Sequence, residues 1–242
     1  MKISIENINF FYINLDNRLD RKKHSIEQFS KHNLVVKREK ACDSLIDNNL
    51  LFGESWSEGN KKCMVSHYNL MKNYKGEKIL GIFEDDVVLC EDFITRVKYI
   101  ENNFDKDWDI FYFSSFYTLN NYWHTSGDYE KTDIKYIHRV FGSFCTHALL
   151  INSKSIDKII KLIEDNLIDT YAIDHLYLKK IQPVLNCYAF TPGMATQLTN
   201  KSDISDGIRD MTLLDGVLGT HYYVNNLSEF DYDEYFNKNI SI

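Results

Sequence analysis

The sequence predicts a single α/β domain built on a mostly parallel central sheet, and three features carry that expectation. Short, nearly uninterrupted apolar runs at residues 8–15 and 79–83 have the pattern of strands covered on both faces. Longer stretches with apolar residues at helical spacing lie between such runs, so strands and helices alternate. Only two prolines and ten glycines occur in 242 residues, and no flexible linker divides the chain.

Taken in order, residues 8–15 read as the first strand, ending in Asp16-Asn17. A helix follows from about residue 18 to 32, with Leu19, Ile26 and Phe29 on one face, and residues 34–36 read as a second strand. The right-handed crossover of this βαβ opening puts its first loop at the edge where open sheets bind ligands. Residues 42–60 look irregular and polar, and a helix over 62–74 leads into the strand at 79–83. Glu91-Asp92 suit a helix start over 93–99, with Asp92 as the N-cap. Residues 108–113 and 148–151 read as strands, and 116–136 as an aperiodic aromatic segment suited to a lid or acceptor loop. Residues 153–167 form an amphipathic pattern through Ile156, Ile159, Ile160 and Ile163, followed by a helix at 172–181 and a strand at 184–189. The expected organisation is one domain over 1–227 and a peripheral acidic and aromatic tail over 228–242.

Composition narrows the classes. Hydrophobic residues at 44% and aromatics at 14% suffice for a real core. A net charge of −7 argues against wholesale contact with nucleic acid. Cys42, Cys63, Cys90, Cys145 and Cys187 contain no CxxC pair and read as mostly buried free thiols of a reducing compartment. Residues 1–7 lack a signal-peptide pattern, and no run approaches the ~18 apolar residues of a membrane span, so a soluble, cytoplasmic protein is expected.

The most informative residues are Glu84-Asp85-Asp86, which end a buried strand in three carboxylates. Burying three like charges is costly unless a cation or a proton neutralises them. Hard oxygen ligands at the carboxyl end of a central strand suit a divalent metal. An acidic surface turn is the plainer alternative. In the first loop, Arg18 and Arg21 share a helix face and can pair with phosphate oxygens, while Asn14 or Asp16 can meet a base or ribose. Otherwise Asp16 and Asn17 cap the helix and both arginines are solvated. Cys63 and His67 are four apart, facing one way, but no second Cys/His pair follows, so a packed histidine is expected there. Ser66 and His67 can still line a sugar pocket. Residues 142–147, Asp174, Gln197, Ser202-Asp203-Ile204 and His221 are further polar candidates, each with an ordinary capping or solvated reading.

Their order along the chain is what distinguishes them: Ile13-Asn14-Leu15 with Arg18 and Arg21, Cys63-x-x-Ser66-His67, Phe83-Glu84-Asp85-Asp86, Trp108-Asp109-Ile110, residues 142–149, Ile173-Asp174, then Gln197 with Ser202-Asp203-Ile204. This series resembles glycosyltransferase family 25, over about residues 8–205. The resemblance implies a GT-A-like fold, a nucleotide-sugar donor such as a UDP-hexose, dependence on Mn²⁺ (or Mg²⁺), inversion at the anomeric carbon, and a carbohydrate or glycoprotein acceptor. It implies a metal anchored by Asp86 with Glu84 or Asp85, and a nucleotide site that includes Asn14, Leu15 and Arg18. The residues themselves add Arg21, Ser66, His67 and Asp85 to the expected donor site, and His221, beyond the stretch of resemblance, as a further candidate metal ligand beside Glu84 and Asp86. Asp174 becomes the candidate general base. Two departures stand out: Lys62 precedes Cys63 where glycine is frequent in the family, and Phe144-Cys145 precede the Thr146-His147-Ala148 core. The alternatives are a sugar nucleotidyltransferase, which would want a glycine-rich first loop, and a non-catalytic carbohydrate-binding or degenerate transferase-like module.

Overall fold

The structure, a computed structural model, describes residues 1–46, 48–114, 116–117, 129–198 and 224–233. The chain opens with strand β1 (Ile8–Asn14), helix α1 (Leu19–Lys31) and strand β2 (Val36–Lys40). Helix α2 (Glu58–Asn73) leads to β3 (Ile79–Glu84) and the short β4 (Val87–Leu89), followed by α3 (Phe93–Asn103) and β5 (Ile110–Tyr112). Then come β6 (Phe116–Tyr117), β7 (Tyr129–Lys131), β8 (Ile137–Val140), β9 (Ser143–Phe144) and β10 (Ala148–Ile151). Helices α4 (Ile156–Asn166) and α5 (Ile173–Leu176), with a π-helical turn at Tyr177–Ile181, precede β11 (Cys187–Phe190) and β12 (Ala195–Gln197).

Among the described residues the main sheet has eight strands in the order β2-β1-β3-β10-β5-β11-β8-β7. Strands β2, β1 and β3 pair in parallel, as do β5 and β11. The α/β architecture is as expected, but β10 is inserted antiparallel between β3 and β5, and β8 runs antiparallel beside β11. The chain leaves β1 toward β2 on one side and returns to β3 on the other. The carboxyl ends of β1 and β3 therefore flank a topological switch point, where such sheets open a crevice.

Alternation along the central strands feeds two cores. Leu80 and Ile82 of β3, Leu149 and Ile151 of β10, and Ile110 and Tyr112 of β5 pack with α2, α4 and α5. Ile79, Phe83, Leu150, Phe111, Tyr188 and Phe190 pack on the opposite face with Phe29 of α1 and Phe93 and Val97 of α3. Gly81 sits where a Cβ would fall 2.4 Å from the Phe10 ring, so its missing side chain lets Phe10 stack on Phe83, centroids 5.3 Å apart.

Several boundaries differ from the sequence expectation for identifiable reasons. Helix α2 starts four residues early because Ser57 accepts a hydrogen bond from Asn60 N, a cap upstream of the apolar run. Strand β2 is a charged edge strand, VKREK, whose composition hides it from a hydrophobic criterion. Asp92 precedes α3 but makes no capping bond: its carboxylate lies 2.7 Å from Arg96 Nε and accepts from Leu227 N. Cys90 and Cys187 are buried, whereas Cys42, Cys63 and Cys145 are half-buried. The described part of the tail docks on the sheet edge, where Phe230 is buried and the Tyr232 hydroxyl lies 3.0 Å from His138 Nε2. No helix among the described residues is long and apolar enough to cross a membrane.

Candidate active site

At the switch point, residue 84 ends β3 opposite Ile13 of β1. Strand alternation then sends the acidic side chains different ways. Glu84 shares the face of Leu80 and Ile82 and points toward α2, where its Oε1 lies 3.4 Å from His67 Nε2. Asp85 turns toward α1 and β1: Oδ2 accepts from Asn14 Nδ2 at 2.7 Å and Oδ1 from Arg21 Nη1 at 2.9 Å. Asp86 accepts from the same Arg21 nitrogen at 3.1 Å and from Gln197 Nε2 at 3.2 Å.

Helix α1 holds this acidic turn at several points. Beside the Arg21 contacts, His24 Nε2 lies 2.8 Å from Val87 O, and Ser25 Oγ is 3.1 Å from Asp85 O. From the other side, β12 pairs with β4, and Leu198 N donates to Asp86 O at 2.8 Å. The turn is thus held from both sides, and a single guanidinium is shared by Asp85 and Asp86. Burial, then the charge of Glu84, pushes the Asp86 carboxyl up to about 6, with Arg21 opposing. Burial also raises Asp85, against the pull of Asn14 and Arg21.

The cleft beside the turn has a volume of about 480 Å³ and is lined by Leu15, Asp16, Arg21, Lys62, His67 and Asp86, among others. That falls within the size range of small-molecule sites. Arg21, Ser66, His67, Glu84, Asp85 and Asp86 line this cleft, and Asn14 stands behind it on Asp85. Arg21 is committed to the two aspartates, and Arg18 forms a two-point pair with Asp20. Ser66 accepts from Cys42 N and donates to Lys62 O, tying the loop after β2 to α2. Asp174, at the start of α5, accepts from Thr146 Oγ1 at 3.1 Å, and that hydroxyl also lies 3.4 Å from Glu84 Oε1. Asp174 is thereby one side chain removed from the acidic turn. Cys145, with φ 78, bends the backbone just before Thr146, and His147 O accepts from Glu84 N. His221 and Ser202-Asp203-Ile204 lie outside the described residues.

Arg38 is the site residue that sequence reasoning missed. Its Nε donates to Asn14 Oδ1 at 2.9 Å, and Nη2 reaches Asn14 O and Asp16 Oδ1. It therefore orients the asparagine that holds Asp85. The only signal was its place in a charged edge strand, too weak to find it.

The donor set fits a divalent cation: three carboxylates at one strand end supply hard oxygen ligands, and α1 and β12 hold their turn in place. A cleft with acidic residues at the switch point of an α/β sheet lies where such folds bind ligands, but it does not name a reaction. The family is more specific. The model of glycosyltransferase family 25 (LPS biosynthesis protein) matches residues 7–177, well over half of the chain, and the protein belongs to that family. It is a sugar-transferring enzyme. Gln197 and the residues after it lie beyond the matched segment. Among solved structures, the chain is similar to a Bacillus anthracis protein assigned as a glucose-1-phosphate thymidylyltransferase, in complex with sucrose, at 12% identity and a TM-score of 0.40, covering 77% of this chain and 69% of that one. It is also similar to a glycosyltransferase involved in glycosylation of the major capsid of PBCV-1, at 10% identity and a TM-score of 0.33, covering 77% and 93%. No curated protein sequence matches.

Proposed function

We propose that the protein moves a hexose from a nucleotide-sugar donor, a UDP-sugar, to a hydroxyl of a glycan or glycoprotein acceptor, with inversion at the anomeric carbon and a GT-A-like donor site. The observation that carries this reading is the cluster of carboxylates at the switch point, where Asp85 and Asp86 share Arg21 and Glu84 stands beside them against His67. A bound Mn²⁺ or Mg²⁺ held by Asp86, with Glu84, supplies neutralisation of the charge on the leaving diphosphate.

The residues divide the remaining work. Asn14, held by Arg38, keeps Asp85 turned inward and so leaves Asp86 as the carboxylate facing the donor. Leu15 and the loop after β1 line the nucleotide end of the cleft. Lys62, on its wall, is paired with the exposed Glu58 and can exchange that surface partner for phosphate oxygens, whereas Arg21 is held by two buried aspartates. Asp174 acts as the general base, accepting the proton of the acceptor hydroxyl as its oxygen bonds to the anomeric carbon and the bond to the diphosphate breaks. Thr146 orients that carboxylate.

A panel of UDP-, GDP- and CMP-sugars, assayed for hydrolysis with Mn²⁺ and with chelator, tests the reading. One donor should turn over with metal only, and Asp174→Asn should retain donor binding while losing transfer. Turnover indifferent to chelator would overturn the metal-dependent reading.

A further inference from the structure

Helix α2 presents Cys63 and His67 one turn apart on the face that meets the end of β3. Across from them stands Glu84, and one ligand atom from each of the three residues lies within 4.8 Å of the other two. The His67 side chain is 1% exposed, yet neither ring nitrogen makes a hydrogen bond among the described residues. Leaving a buried imidazole unsatisfied costs about 1–3 kcal/mol unless a ligand completes it. Nε2 faces the carboxylate of Glu84 at 3.4 Å. Zinc bonds of about 2.0–2.3 Å put neighbouring ligand atoms of a tetrahedral site about 3.3–3.6 Å apart, so this pair already has the required spacing.

We propose that Cys63, His67 and Glu84 bind a borderline-soft divalent ion of the zinc type, next to the oxygen-only cation position at Asp86 and sharing the two-oxygen carboxylate of Glu84 with it. A thiolate, an imidazole and a carboxylate are zinc ligands, and a set containing sulfur is poorly suited to Mg²⁺ or Mn²⁺. Cys63 lines the open cleft, which provides an entry path and room for a water as fourth ligand. Binding replaces the S–H bond with a sulfur–metal bond and releases the thiol proton to solvent. The ion would fix the α2 wall of the cleft against the end of β3. The inference does not rest on the transfer reaction, since metal binding is read directly.

The test is titration of the full chain with Co²⁺, followed spectroscopically. Binding of one thiolate-ligated, tetrahedral ion per chain is expected, with a thiolate-to-cobalt charge-transfer band and tetrahedral visible bands, both displaced by Zn²⁺. Cys63→Ser should abolish the charge-transfer band and His67→Gln should abolish the tetrahedral bands. Cys42→Ser, at the other thiol of the cleft, and Asp86→Asn should retain both. Absence of a charge-transfer band, its survival in Cys63→Ser, or its loss in Cys42→Ser would overturn the proposal. X-ray absorption of the zinc-loaded wild-type chain provides a check that needs no variant: one sulfur scatterer at about 2.3 Å supports the site, and a shell of nitrogen and oxygen alone refutes it.

Discussion

Two buried arginines, Arg21 and Arg96, show how the same side chain serves function in one place and structure in another. Arg96 is completely buried in α3, pairs with Asp92, and donates to the carbonyls of Pro192, Gly193 and Val224. One carboxylate meets one guanidinium there, and the remaining donors close on backbone. The result clamps the turn before β12 and the segment at 224 onto α3. Arg21 also bonds to aspartate, but it is shared between Asp85 and Asp86 with Glu84 beside them. In the first cluster one acid meets one base, whereas in the second a single guanidinium is shared by two aspartates, and the proposed function assigns a cation there.

The largest consequence falls on activity. Asp86→Ala should lower donor turnover by on the order of 10²–10³-fold or more, measured as initial rates on an equally folded chain. The next contrast concerns stability. Arg96→Met strands Asp92 in the core and should cost about 3–5 kcal/mol by denaturant unfolding, with no recovery on adding Mn²⁺. Arg21→Met should cost less and recover with Mn²⁺, by about 2.7 kcal/mol when the ion is at a hundred times its Kd. Equal behaviour of the two variants would remove the distinction between the clusters.

A smaller effect follows from the raised Asp86 carboxyl. A group whose folded pKa lies above its ordinary 3.8 favours the protonated form in the fold, so its contribution holds below about pH 4 and is lost as pH rises through about 6. Asp86→Asn mimics the protonated form. It should stabilise the metal-free protein by roughly 2–3 kcal/mol at pH 8, the worth of a shift from 3.8 to about 6, and by nothing at pH 3.5. Least in size, Cys145→Gly should relieve the backbone at φ 78 and raise stability by about 1 kcal/mol, read as a shift in Tm.

The central strands were legible because burial on both faces leaves them almost wholly apolar, as in residues 79–83. Strand β2 was not, because an edge strand tolerates Lys37, Arg38 and Lys40. The acidic triplet was equally legible, since three carboxylates ending a buried strand have few explanations. What each one touches was not. Asp85 meets Asn14 and Arg21 through the β1–β3 register, and Glu84 meets His67 through the packing of α2 on the opposite face. Those contacts depend on three-dimensional placement that spacing along the chain does not encode. The reading of His67 as a packed core histidine therefore lacked the one partner, Glu84, that gives it another possibility.

The most direct test is calorimetric titration of UDP into the wild-type chain and Asp86→Asn, each with and without Mn²⁺ at pH 7.5. The expected result is binding by the wild type only when Mn²⁺ is present, and none by the variant in either condition. UDP binding of equal strength without metal, or by the variant with metal, would contradict the assignment of the acidic turn as a cation-dependent donor site.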